Sequence, residues 1–227
     1  MSERFASPTR VRPPARVAVA ALGLAIVALA ARTTVSSWAW VDRVFPGFVL
    51  LEDRVVAAIG LPHWSGAVVP NLFLSQVIAV DGRPVAEEAE VYAVAASRPV
   101  GTSITYRVRR AGAERDVVLP TGRFSSSDWW MLFGLYLLNG AVFAIAGLLV
   151  WALRPVTPLT AAFLMFSLAF ATFLFTAMDL YAPATFLHLY LLSNAMLSAA
   201  ALQLALLFPE PHRWARWRFA GDRKSVV

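Results

Sequence analysis

Three histidines are the side chains whose ordinary titration range lies near neutrality, and each stands apart from the others. His63 lies in a loop, where solvation is expected. His212 lies among Arg213, Arg216 and Arg218, at the end of a long apolar run, where it suits lipid headgroups. His188 lies inside an apolar run with Tyr190, Asn194 and Gln203. A polar residue there either hydrogen-bonds a neighbouring helix or acts as a ligand or proton-sensing group. There is no cysteine, so disulfides and cysteine-ligated metals are excluded. The chain has no HExxH pair, no Gly-x-Ser-x-Gly elbow and no phosphate-cradling glycine loop. The expectation is a non-enzymatic chain with no catalytic residue, metal or cofactor.

What these residues lack in catalytic pattern, the rest of the chain has in apolar pattern. Of 227 residues, 59% are hydrophobic and 15% charged, and the mean hydropathy is +0.62. A soluble domain is nearer 45–50% apolar. Four runs are long enough to be membrane spans: an anchor over 17–35, then 129–153, 159–178 and 184–208. The first is short, with Arg16 and Arg32 able to snorkel, and a cleaved signal peptide with Ala28-Leu29-Ala30 at its cleavage site is the alternative. An anchor and a signal peptide alike would export the segment beginning at Ser36.

The net charge of +6 sits at the flanks of these runs. Residues 1–16 carry +3 and residues 209–220 carry +2, while 32–128 hold ten Arg against ten Asp and Glu. Arg154 lies in the short loop after the second span and Asp179 in the loop after the third. An N-terminus inside (1–16), an exported domain (36–128) and a tail inside (209–227) put every short basic flank in the cytoplasm. The basic balance therefore serves orientation, and no nucleic-acid partner is expected. The predicted location is the bacterial inner membrane, multi-pass, with 36–128 periplasmic.

Residues 36–128 carry mixed patterning. Val77 to Val80 predicts a strand and Asp81-Gly82 a tight turn. Ala86 to Ser97 predicts a helix with Val91, Val94 and Ala95 on its apolar face. Strict alternation over Ser103 to Arg109, the Ala111-Gly112 turn and a return over Arg115 to Leu119 predict a hairpin. The fold class is therefore a four-span α-helical membrane protein with an α+β domain inserted between spans one and two.

From Val55 to Leu119 the domain resembles a PDZ domain of the bacterial type. VIAVDGRPV (Val77 to Val85) resembles its strand and turn, Glu90 to Ser97 stands where its groove helix stands, and Val100 to Leu119 resembles its closing hairpin. The resemblance implies a groove that binds extended peptide by strand addition. Its site residues would be Phe45, Gly47 and Phe48 in a carboxylate-binding loop, with Val91 and Ala95 on the helix. The sequence departs from the family at Val69 to Ser75, which replaces the usual glycine-containing approach. Any peptide binding is therefore expected to be weak, and a spacer that binds nothing is the alternative.

From Phe45 to Trp217, the order of anchor, PDZ-like domain and further spans resembles the input region of bacterial sensor proteins, sensor histidine kinases in particular. LFGLYLLN (Leu132 to Asn139) and LLFPEP (Leu206 to Pro211) carry most of that likeness. It implies a signal-input module with a cytoplasmic kinase output downstream, the lipid bilayer and a peptide or protein ligand as partners, and a homodimer as a third. The alternative is a membrane scaffold or adaptor that holds exported partners. Lys224 is the one lysine, and Asp222 to Val227 reads like a translated sequencing adapter. The expectation is a reading frame that continues past Ala220, with 222–227 foreign to it.

Overall fold

The computed structural model describes residues 13–181 and 184–208. The sequence expectations for 1–12 and 209–227, including the foreign tail, lie outside the described residues. The chain divides into two compact units.

One unit comprises Arg32–Tyr136 together with Thr176–Leu187. Its main sheet holds six strands in the order β2 (Leu50–Leu51), β3 (Val55–Val56), β4 (Gln76–Val80), β6 (Ser103–Arg110) and β7 (Ala113–Pro120), with β5 (Arg83–Pro84) paired to β4. Asp81 and Gly82 both adopt positive φ, 47° and 77°, and so do Ala111 and Gly112, at 48° and 84°. Two consecutive left-handed residues give the turn whose twist matches antiparallel strands. They close β4 on β5 and β6 on β7, as the sequence predicts. Alternation then sends Ile104, Tyr106 and Val108 inward. They meet Val91 and Ala95 of α2 (Glu88–Ala96), both fully buried, along with Phe48, Leu72 and Val77. On the outward side Arg107 forms a two-pronged pair with Asp116 across the hairpin, at 2.8 and 3.0 Å. That guanidinium holds the Asp116 carboxyl below its usual range.

A second, two-stranded ribbon pairs β1 (Val44–Phe45) with β8 (Gly122–Arg123). It is continued by Asp42 N–H to the Phe124 carbonyl at 2.8 Å and Phe124 N–H to the Arg43 carbonyl at 2.9 Å. The residues leaving α1 (Pro13–Trp38) are thus hydrogen-bonded to those entering α3 (Ser126–Trp129). Within the same unit, buried Trp129 donates its indole N–H to Ser37 Oγ at 3.1 Å and lies edge-on to Trp38.

The other unit comprises residues 1–31, Leu137–Phe175 and 188–227. Its described part holds most of α1, α4 (Leu135–Leu153), α5 (Pro158–Ala177) and α6 (Leu187–Leu207). Four helices are long and apolar enough to cross a membrane: Ala15–Trp38, Ser126–Leu153, Pro158–Ala177 and Leu187–Leu207. The first runs further at both ends than the 17–35 predicted. Ser125 begins the second with a reciprocal cap: its Oγ accepts the Asp128 N–H, and Asp128 accepts the Ser125 N–H. The helix then passes through a π-helical turn, Trp130–Gly134. A Cβ at Gly134 would lie 2.3 Å from the Trp130 ring, so any larger residue there must displace that ring.

The α4–α5 contact depends on small residues. Gly140, Ala144 and Gly147 are buried. A Cβ at Gly140 would meet the Phe175 ring at 2.5 Å, and one at Gly147 would meet Ser167 Cβ at 2.6 Å. This is the close approach that small-xxx-small spacing permits. On α6, His188, Asn194 and Gln203 are exposed, and Tyr190 stacks on Phe173 at 5.0 Å. The interhelical hydrogen bond expected of His188 is not formed among the described residues.

Candidate ligand groove

The groove lies inside the unit that contains the sheet. One wall is the last turns of α1 and the segment after it, and the other is α2. Helical spacing builds the second wall. Ala89, Tyr92, Ala93 and Ala96 fall at i, i+3, i+4 and i+7, which puts them on one face. Val91 and Ala95 turn the adjacent face into the sheet core, so α2 is apolar on two sides. The first wall presents Val35, Ala39 and Trp40, and Val44 and Phe45 also line the groove. The volume is about 580 Å³, within the range of small-molecule sites.

The polar groups of this groove are few. Arg32, Ser36 and Arg43 are joined by the Tyr92 hydroxyl, and that hydroxyl is committed on both sides. It accepts the Leu50 N–H at 2.6 Å and donates to the Tyr181 carbonyl at 3.1 Å. Burial pushes the Tyr92 phenol well above its usual range, so it stays neutral and keeps its donor. Trp40 sits edge-on against the Tyr92 ring at 4.7 Å. Leu50 belongs to β2, the end strand of the main sheet. Its amide, fully buried, is therefore satisfied by the chain itself.

Tyr181 belongs to the loop between α5 and α6, which packs as part of this unit. Asp179 fixes that loop. Its carboxylate accepts the Phe186 N–H at 2.9 Å, and its carbonyl accepts the Ala184 N–H at 3.0 Å. Burial raises the Asp179 carboxyl above its usual range, against the opposing pull of the Phe186 and Thr185 amides and the Arg32 charge.

Of the five residues expected to bind peptide, Phe45 alone lines the groove, and it is 2% exposed, with Trp64 and Phe124 against its ring. Phe48 lies in the core against Tyr106. Val91 and Ala95 are core residues. Gly47 has φ +80°, and its carbonyl accepts the Gly66 N–H at 3.0 Å. A Cβ on Gly47 would strike Ser65 Oγ, so the Phe45 to Phe48 turn is packed against the loop at Trp64 to Gly66.

No family model matches this chain, and no curated protein matches it.

Among the described residues no cluster of three or more His, Asp and Glu could hold a metal ion. His63, expected to be solvated, is 64% exposed at its side chain but also pairs with buried Asp128, with Nε2 2.8 Å from Oδ1. The residues that sequence reasoning missed are Tyr92, Trp40 and Arg43. The signal for Tyr92 was present, in the second apolar stripe of α2 beside the one that packs the core.

Proposed function

We propose that this chain is a bacterial membrane signal-input module, the N-terminal part of a sensor histidine kinase. Its PDZ-like domain lies in the periplasm, and its short basic flanks lie in the cytoplasm. One observation carries this reading: the Tyr92 hydroxyl joins the buried amide of end strand β2 to the carbonyl of Tyr181, in the loop between the third and fourth apolar helices. A ligand event that moves Tyr92 therefore acts on a loop covalently continuous with two of those helices. The β1–β8 ribbon supports the same reading, since it ties the exit of the first helix to the entry of the second. A domain held this way transmits displacement to helix ends, where a tethered adaptor needs only a flexible linker.

The locus decides between this and a non-enzymatic scaffold or adaptor. Sequencing across codon 221 is expected to show the reading frame continuing into a dimerisation helix with a phosphoacceptor histidine. A genomic stop directly after an authentic Asp222 to Val227 would favour the adaptor.

A further inference from the structure

We infer that the groove between the end of α1 and α2 is a binding site for a single-chain anionic amphiphile, a long-chain carboxylate, with Arg43 holding the head group. It rests on the topology proposed above, with 36–128 outside the cytoplasm, and needs no kinase output.

Three observations lead there. First, the walls are apolar and unfilled. Ala89, Ala93 and Ala96 are exposed on one face of α2, opposite Val35, Ala39 and Trp40. Short side chains along one helix face leave a trough into which a methylene chain fits, and each CH₂ buried there is removed from water. Second, beyond Arg32, Ser36 and Arg43 the lining side chains offer an extended peptide no uncommitted hydrogen-bonding centre. A peptide brings an N–H and a C=O with every residue, and each costs free energy when buried without a partner. Tyr92 OH, the groove's best placed polar atom, is already bonded to Leu50 and Tyr181. An acyl chain brings no such groups. Third, the charges at the groove favour an anion. Arg32 and Arg43 both line it and both are exposed. Arg32 lies within the field of Asp179, whereas the Arg43 guanidinium makes no ion pair among the described residues. Glu88 on α2 accepts the Arg54 N–H at 3.0 Å, and its charge acts on Tyr92.

The position along the chain agrees. The first apolar helix spans Ala15–Trp38, and about 20 residues cross the hydrocarbon. Val35 to Trp40 then lies at interface depth, where a free carboxylate in the outer leaflet has its head group.

The test uses the full chain in phosphatidylcholine nanodiscs, with palmitate carrying a diazirine in its tail. Irradiation followed by peptide mapping locates the adducts and separates site binding from partition into lipid. Adducts are expected within 35–45 and 89–96. Excess palmitate should suppress them and hexadecanol should not. R43Q should weaken capture by about tenfold, as loss of a charge-assisted contact implies. A93W, on an exposed position, should block capture by filling the trough, while R107Q on the opposite hairpin surface should leave it unchanged. Adducts confined to 137–175 and 188–207 would overturn the assignment. So would equal competition by hexadecanol, undiminished capture by both R43Q and A93W, or displacement by an apolar peptide with a free C-terminus at lower concentration than palmitate.

Discussion

Replacing Tyr92 with Phe removes one oxygen and leaves the ring, so its effect isolates the relay from Leu50 to Tyr181. Two hydrogen bonds are lost, at 2.6 and 3.1 Å. Leu50 is 0% exposed and Tyr181 8%, so water cannot readily replace the hydroxyl at either end. A buried donor or acceptor left unmade costs about 1–3 kcal/mol. The two together predict a loss of about 2–6 kcal/mol, the larger part at the Leu50 amide. For a chain of 227 residues each kcal/mol lowers the midpoint by about 2–4 °C, so Y92F should melt at least ~4 °C below the parent. The melt is followed by circular dichroism in detergent, because fluorescence would sum all eight tryptophans. Hydrogen exchange should accelerate at the Leu50 amide and across 176–187. A Y92F protein that melts within about 1 °C of the parent, with the Leu50 amide still protected, would refute the relay as a structural link.

Asp179→Asn should flatten the dependence of stability on pH. Burial raises the folded carboxyl, so the folded state binds its proton more tightly than the unfolded chain. Stability then falls as pH rises from the unfolded value of about 3.9 towards the raised one, and melting curves across that window should show the slope in the parent and not in D179N. Gly147→Leu should destabilise the α4–α5 contact by about 1–3 kcal/mol through overpacking, read by denaturant titration in detergent, because even a Cβ meets Ser167 at 2.6 Å. Arg107→Gln should shift the melting point by no more than about 2 °C, since the pair with Asp116 is half-exposed on a solvated hairpin. The chain has no cysteine, so single-cysteine variants report topology cleanly. An impermeant maleimide added to intact cells should label S97C and not V156C.

The hairpin, the groove helix and the four apolar helices were legible because each depends on a short-range pattern. Alternation over Ser103 to Arg109, the Asp81-Gly82 and Ala111-Gly112 turns, and long charge-free runs all act within a few residues. The groove was not legible, because its walls are far apart in sequence, Val35 to Trp40 against Ala89 to Ala96, and one of them is the end of a long apolar helix. Phe48, Val91 and Ala95 have the residue types of a peptide site, yet their spacing equally suits a core, and the sheet takes them. The loop at Asp179 to Pro183 reads as a connector from composition. Its Tyr181 carbonyl accepts the hydroxyl of Tyr92, 89 residues away, and no local pattern encodes such a pair. His63 is exposed, as its loop position implies, but its pairing with Asp128, 65 residues on, has no local signal.

The proposal that the sheet-containing domain acts on the apolar helices is tested most directly by joining the chain in frame after Ala220 to a histidine kinase output module and measuring autophosphorylation in membranes. Y92F, which cuts the link from β2 to the loop between the third and fourth apolar helices, should change the basal rate several-fold relative to the parent, while R107Q should not. Equal rates for the parent, Y92F and R107Q, with all three correctly inserted, would contradict an input role and leave a scaffold.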